Sequence, residues 1–193
     1  MVVKWVFDRL FALLGIILLM PLGIILSLLI KCKDGGDIFF SQERVGRNGK
    51  LFKIRKFRTM TMGSSGSSVT VAGERRITPW GAVLRKYKLD ELPQLWNVLI
   101  GEMSFVGPRP DVPGYADKLQ GEERDILLMR PGITGPASLK YRNEEELLAS
   151  VDDPKRYNDE VIFPDKVHIN LNYYRYYSLK TDLYIIFATL LGR

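Results

Sequence analysis

Cysteine and histidine are almost absent from this chain of 193 residues, with Cys32 and His168 the sole examples. One cysteine excludes an intrachain disulfide framework and suits a reducing face of a membrane. One of each cannot assemble a His/Cys zinc site within a single chain. Acids are also in deficit, 22 Asp and Glu against 28 Lys and Arg, for a net charge of +6. That sign suits an anionic leaflet, a polyphosphorylated ligand or a nucleic acid, and does not choose between them. No repeat is visible. No small-residue cleavage site closes the N-terminal apolar run, where Lys31, Cys32 and Lys33 follow instead, so a cleaved signal peptide fits poorly.

What is present begins with that run. Leu10 to Ile30 carries no charged residue and would reach about 31 Å as a continuous helix, roughly one hydrocarbon core. The chain therefore belongs to a membrane, which makes nucleic acid the weakest of the three partners. Pro21 removes a backbone donor and crowds the carbonyl of Ile17, so a kink or break is expected at Met20–Pro21, and each half alone is too short to cross. Lys4 and Arg9 on one side balance Lys31 and Lys33 on the other, a tie in the positive-inside count. A tie is what a re-entrant hairpin with both ends in the cytoplasm gives; a kinked single span is the other reading. The remainder, about 160 residues, is one domain of ordinary size.

Asp34-Gly35-Gly36-Asp37 is a turn that ends the membrane segment, and Ile38–Phe40 begins a β-favouring stretch. Asn48-Gly49 reads as a hairpin turn. Beyond it Leu51, Phe52, Ile54 and Phe57 interleave with Lys53, Arg55, Lys56 and Arg58, the pattern of a basic edge strand or of a phosphate-binding strand. Gly63 to Ser68 is too polar and glycine-rich to pack, which predicts a mobile loop able to act as a lid. From Trp80 to Met103 apolar residues recur at helical spacing, as two helices meeting at Asp90-Glu91. Gly107-Pro108-Arg109-Pro110 and Arg130-Pro131-Gly132-Ile133-Thr134-Gly135 are rigid turns, each presenting an arginine beside a proline. Glu144 to Leu148 starts a short helix, Lys155 to Asp165 reads as polar and irregular, and Tyr173 to Leu191 as a helix that lies on the bilayer or fills the core.

The densest chemistry lies between Leu84 and Pro110, where Asp90 and Glu91 stand between Arg85, Lys86 and Lys88 upstream and Arg109 downstream. Cationic side chains hold phosphoryl oxygens, while a carboxylate attacks phosphorus or holds a magnesium ion. Asp90 and Glu91 followed by Pro93 equally read as an ordinary helix start, with acids complementing the N-terminal dipole. In the first reading a helix N-terminus near Asp90 helps bind an anion.

Taken together, Gln42-x-Arg44-x-Gly46, Lys56-Phe57-Arg58-Thr59-Met60, Leu89-Asp90-Glu91-Leu92-Pro93-Gln94-Leu95 and the two arginine-proline turns resemble the bacterial sugar transferases, the monotopic phosphoglycosyl transferases. The blocks match in order and spacing over nearly the whole chain, and the length resembles the small, catalytic-core-only members. The resemblance implies an α+β fold: a re-entrant membrane hairpin helix over residues 1–33, broken at Met20 and Pro21, and a mostly helical cytoplasmic catalytic domain over residues 34–193 with a small β-hairpin and interfacial amphipathic helices. The family often has Ser-Pro at the break, where this chain has Met20-Pro21.

The implied reaction moves a phospho-sugar from a UDP-sugar to polyprenol phosphate, giving a polyprenyl-diphosphate sugar and UMP at the bacterial inner membrane. Downstream glycosyltransferases are implied partners. Asp90 is implied as nucleophile, Glu91 as Mg2+ ligand or general base with Asp90 as a second metal ligand, and Lys56, Arg85, Arg109, Arg130 and, less centrally, Arg58 as phosphate-binding groups. Asp182 resembles a family acidic position, with helix capping or structural pairing as its alternative. A basic scaffold binding anionic lipid would not need adjacent acids inside the cationic cluster. A polytopic transferase needs many spans, and a glycosyltransferase cleaving at the anomeric carbon would release UDP.

Overall fold

A computed structural model describes residues 2–61 and 76–192, and the expected loop at Gly63 to Ser68 lies outside them. The described residues form two compact units, 2–43 with 53–61 and 76–103, and 44–52 with 104–192.

The first unit is built on α1 (Val2–Asp34), which runs as one helix through Met20 and Pro21. It is long and apolar enough to cross a bilayer. Most of its large side chains point outward, but Leu26 and Ile30 are buried with Phe57 and Leu84, and Leu22, Ile38, Leu89 and Leu92 pack around them. The membrane helix is therefore part of this unit's apolar core. β1 (Phe39–Val45) and β2 (Leu51–Phe57) pair as a hairpin. At its tip Asn48 (φ 59°) and Gly49 (φ 75°) both take left-handed backbone, which asparagine and glycine tolerate best. α2 (Pro79–Lys86) starts where Thr78 Oγ1 accepts the Gly81 amide at 2.9 Å, with proline in the first turn. α3 (Gln94–Ile100) stops at Gly101, whose φ is 86°.

Asn97, wholly buried, joins α3 to the hairpin. Its Nδ2 donates to Lys53 O at 2.8 Å, and its Oδ1 accepts the Arg55 amide at 3.2 Å. The same Nδ2 donates to Glu102 Oε2 at 2.6 Å. One amide side chain thus satisfies two part-buried backbone groups on the strand edge.

In the second unit, β3 (Ser104–Val106) and β4 (Gly132–Thr134) pair in parallel, Ser104 opposite Gly132 and Val106 opposite Thr134. Strands of three residues are too short to show alternation, so this sheet has no sequence signature. Helices follow: α4 (Pro136–Lys140), α5 (Glu144–Ala149), α6 (Pro154–Tyr157), α7 (Phe163–Arg175) and α8 (Leu179–Leu190). One core gathers Val45, Ala116, Ile126, Leu127, Val167 and Leu171; another gathers Val106, Met129, Tyr173 and Ile185.

Three segments differ from expectation. The break expected at Met20–Pro21 does not interrupt α1, which stays helical through both residues, since an internal proline removes only one backbone donor. Lys155 to Asp165 is helical, with Asp153 Oδ1 capping the Arg156 amide at 3.0 Å and a π-helical turn over Asn158–Ile162 that buries Ile162 completely. A single inward apolar residue gives no periodic signal. The tyrosine-rich stretch is split, because α7 ends at Arg175 and Ser178 Oγ caps α8 at the Thr181 amide, 3.1 Å away.

Asn97→Ala would strand the Lys53 carbonyl and the Arg55 amide, at a cost of about 1–3 kcal/mol each when buried. Denaturant unfolding in detergent should show a loss of about 3 kcal/mol; a loss below about 1 kcal/mol would contradict this bridging role.

Candidate active site

Asp90 and Glu91 lie in a 3-10 turn, Leu89–Glu91, between α2 and α3. Lys88 makes that turn by taking left-handed backbone (φ 56°, ψ 21°), a conformation a non-glycine residue adopts at a cost of about 1 kcal/mol. Leu89 and Leu92 on either side are drawn into the core against Leu26 and Ile30. The carboxylates between them are consequently pulled out of water, Asp90 to 6% and Glu91 to 8% exposure. Isolated anions at such depth would be costly, so cationic partners are required. Lys56 Nζ supplies one, paired with Glu91 Oε1 at 2.9 Å.

The run Lys56 to Met60 is divided among several tasks. Lys56 meets Glu91, and Phe57 enters the core. Thr59 serves α2: its hydroxyl accepts from Arg85 Nε at 3.1 Å, and its carbonyl accepts the Thr78 amide at 3.0 Å. A Cβ on Gly81 would stand 2.1 Å from Thr59 O, so glycine lets the first turn of α2 lie directly on that residue. Met60 bridges to Ile77. Arg58 turns the other way, with Nη2 donating to the carbonyl of Gly35 at the end of α1. The first unit therefore gathers Asp90, Glu91 and Lys56 and fixes Arg85 through Thr59, while Arg58 serves the turn that leaves the membrane helix.

In the second unit, the two arginine-proline turns interlock. Gly132 N donates to Pro108 O, and Gly107 N to Thr134 O, each at 2.9 Å. A Cβ on Gly107 would stand 2.4 Å from Arg130 O, and one on Gly132 would stand 2.2 Å from Gly107 N. Only glycines allow backbones this close, so the backbones that carry Arg109 and Arg130 are held against each other by the glycines of both motifs. The turn after β3 is also moored to the hairpin tip: Val45 N donates to Asp111 O at 2.9 Å, and Arg44 Nη1 donates to Pro110 O at 3.3 Å. Asp182 is buried and accepts a hydrogen bond from the Tyr173 hydroxyl, the structural pairing among its two readings.

Thr59 and Arg44 figured in the sequence only as members of motif blocks and Asp111 not at all; the structure gives each a positioning contact. A carboxylate directly after the second proline of an arginine-proline turn was the available signal for Asp111. Burial pushes its carboxyl from 3.8 up to about 6, against the pull of Lys166, Arg44 and Arg109 and with reinforcement from Glu144.

The donor set also bears on metal binding. Among the described residues no three His, Cys, Asp or Glu side chains form a metal-sized cluster. An all-protein cage is thus not on offer, whereas Mg2+ is commonly held by one or two carboxylates plus substrate phosphates. Asp90 and Glu91 fit that second pattern.

A carboxyl whose folded pKa is raised contributes stability that is full below its ordinary value and is lost as pH rises through about 6. Asp111→Asn should therefore raise the thermal midpoint over the parent protein at pH 8 and leave it nearly unchanged at pH 4. Equal shifts at both pH values would contradict the burial cost assigned to the ionised carboxylate.

Comparison with known proteins places this geometry in a family. The bacterial sugar transferase family matches residues 1–192. The exopolysaccharide production protein ExoY of Sinorhizobium fredii is 36% identical, over 95% of this chain and 82% of the relative. The exopolysaccharide production protein PSS of Rhizobium leguminosarum bv. phaseoli is also 36% identical, over 100% of this chain and 95% of the relative. The UDP-N-acetylgalactosamine-undecaprenyl-phosphate N-acetylgalactosaminephosphotransferase of Aeromonas hydrophila is 35% identical, over 95% of this chain and 41% of that longer protein. With the family matched from end to end, this chain belongs to the bacterial sugar transferases.

Proposed function

We propose that this protein transfers a phospho-sugar from a UDP-sugar to polyprenol phosphate, releasing UMP and leaving a polyprenyl-diphosphate sugar. The observation that carries the reading is the pair of adjacent buried carboxylates, Asp90 and Glu91, with Lys56 bonded to one of them. A lipid-binding scaffold has no use for two desolvated acids. The names of relatives point the same way: the Aeromonas hydrophila protein and the UDP-glucose:undecaprenyl-phosphate glucose-1-phosphate transferase of Klebsiella pneumoniae are both sugar-phosphate transferases to undecaprenyl phosphate.

The proposed chemistry is two displacements at phosphorus. An Asp90 carboxylate oxygen attacks the β-phosphorus, the bond from that phosphorus to the bridging oxygen breaks, and UMP leaves with the electron pair. A phosphate oxygen of the lipid then attacks the phosphosugar-aspartyl group and returns the carboxylate. The bond from sugar carbon to oxygen is never broken, so the anomeric configuration is retained. Glu91 is suited to a held role, metal ligand or proton acceptor, because its pairing with Lys56 lowers its nucleophilicity. Arg85, Arg109 and Arg130 are the groups proposed for the phosphates, and losing one such contact costs about 3 kcal/mol of transition-state stabilisation. Asp90 and Glu91 would hold Mg2+, which when bound shields the negative charge of the diphosphate.

The proposed topology is re-entrant, with the catalytic chain on the cytoplasmic face. Near one end of α1, Arg9 Nη2 donates to Ile100 O at 3.3 Å, one helical turn from Asn97, whose side chain bonds the amide of Arg55. At the other end Thr78 Oγ1 donates to Asp34 Oδ2 at 2.8 Å, and Arg58 holds Gly35. Arg55 and Arg58 are separated by about 10 Å of extended chain, a third of a hydrocarbon core. Bonds from one compact unit to both ends of α1 support the re-entrant reading over a detached span. The exposed Leu183, Phe187 and Leu190 of α8, with Leu191 at its C-terminal cap, suit it to lie in the interface.

Purified protein mixed with Mg2+ and a panel of UDP-sugars, without lipid acceptor, should gain one sugar-phosphate in intact mass, and Asp90→Asn should gain none. Turnover with lipid acceptor but no adduct would replace the covalent step by direct attack, and release of UDP would overturn the reaction class. For topology, an impermeant thiol reagent should reach Cys32 and a Val2→Cys variant from the same side of the membrane. Labelling from opposite sides would rule out re-entry.

A further inference from the structure

Where α1 ends, the first unit holds a cavity of about 330 Å3 lined by Asp34, Gly36, Asp37, Arg58, Thr61 and Thr78. It follows the apolar run by a few residues, which sets it at headgroup height. Phe39 and Phe40, both exposed, come directly after it in the chain, and Phe39 stacks on Phe57. Aromatic side chains at that level are a usual interfacial anchor.

The wall of the cavity is built rather than incidental. Arg58 is more than nine-tenths buried. Its Nη2 is used by the Gly35 carbonyl, while its Nε has no acceptor among the described residues. Gly35 and Gly36 both take left-handed backbone, and a Cβ on Gly36 would stand 2.5 Å from Arg58 Nη1. The second glycine of the turn is thus what makes room for the guanidinium. Of the other lining residues, Asp34 accepts a hydrogen bond from Thr78, and Asp37 is open to solvent. Among the described residues neither carboxylate forms an ion pair with Arg58, although all three line the same space.

A buried guanidinium and two carboxylates that line one cavity, with no ion pair between them among the described residues, complement a ligand carrying both charges. Arginine matches a phosphodiester through its planar fork, and aspartates match an ammonium group. A phosphate monoester dianion would face both carboxylates at short range, a repulsion undiminished by any cation on the ligand. We propose that this cavity binds the headgroup of a membrane phospholipid bearing a primary amine on a phosphodiester, with phosphate to Arg58 and amine to Asp34 and Asp37. Bound there, the lipid would lock the turn by which the chain leaves the membrane helix. Arg58 then serves the surrounding bilayer rather than the sugar donor.

The test is lipid retention, read by native mass spectrometry of the protein in mixed micelles with equal phosphatidylethanolamine and phosphatidylglycerol, so it does not depend on turnover. The parent protein should retain phosphatidylethanolamine about fivefold over phosphatidylglycerol. Asp37→Asn, an exposed substitution that leaves packing intact, should bring the ratio to within about twofold of unity. Arg58→Gln should weaken retention of both lipids. Equal retention by the parent protein, or an unchanged ratio in Asp37→Asn, would overturn the proposal. So would displacement of phosphatidylethanolamine by stoichiometric undecaprenyl phosphate, which would assign the cavity to the lipid substrate.

Discussion

Keeping two neighbouring carboxylates out of water is the constraint on which the first unit depends. Asp90 and Glu91 are buried because Leu89 and Leu92 on either side are committed to a core that includes α1. Desolvated anions persist only with cationic partners and full hydrogen bonding, and Lys56 at the end of β2 is placed to meet that demand. The strand must therefore be fixed to the helix that follows the turn, which is what Asn97 does from the middle of α3. Arg85 is held in the same way, through a threonine hydroxyl on the residue stretch that continues the strand. Apolar burial thus fixes where the charges sit, and hydrogen bonds fix their orientation.

Glycine does the corresponding work in the second unit. The turns carrying Arg109 and Arg130 are separated by some twenty residues of chain, yet their backbones meet with no space for a Cβ at Gly107 or Gly132. Two guanidinium-bearing turns so joined move as one body. The mooring of Pro110 and Asp111 to Arg44 and Val45 accounts for part of the Gln42-x-Arg44-x-Gly46 block, whose arginine acts on a backbone carbonyl. Arginine in a motif is readily taken for an anion-binding group; Arg44 and Arg58 both show its other use, as a clasp on main-chain oxygen.

The membrane segment takes part in this architecture instead of serving as a detached anchor. Its buried face supplies Leu26 and Ile30 to the core beneath the acidic turn, and its polar ends are bonded to α3 and to the start of α2. Packing Leu89 and Leu92 against this helix fixes the position of the acidic turn relative to the apolar segment.

Several features were legible in the residues themselves, for local reasons. An uncharged run between Leu10 and Ile30 fixes one helix long and apolar enough to cross a bilayer, and Asn48-Gly49 fixes a hairpin tip because few other residues tolerate two left-handed conformations in succession. The order of the motif blocks placed the family, and the acidic pair was legible as a turn between two helices. Other features came only with the tertiary structure. The parallel β3–β4 pair is too short to leave a pattern, and the helix over Lys155 to Asp165 hides behind a single inward residue, Ile162. Whether Lys56 pairs with an acid, Arg58 with a carbonyl, and Asp111 is buried near Lys166, Arg44, Arg109 and Glu144 depends on which distant segments are brought beside them. Sequence by itself determined which chemical groups are available and where the hairpin turns; long-range packing decided which of those groups meet, because burial and partner choice are properties of contacts that no local pattern encodes.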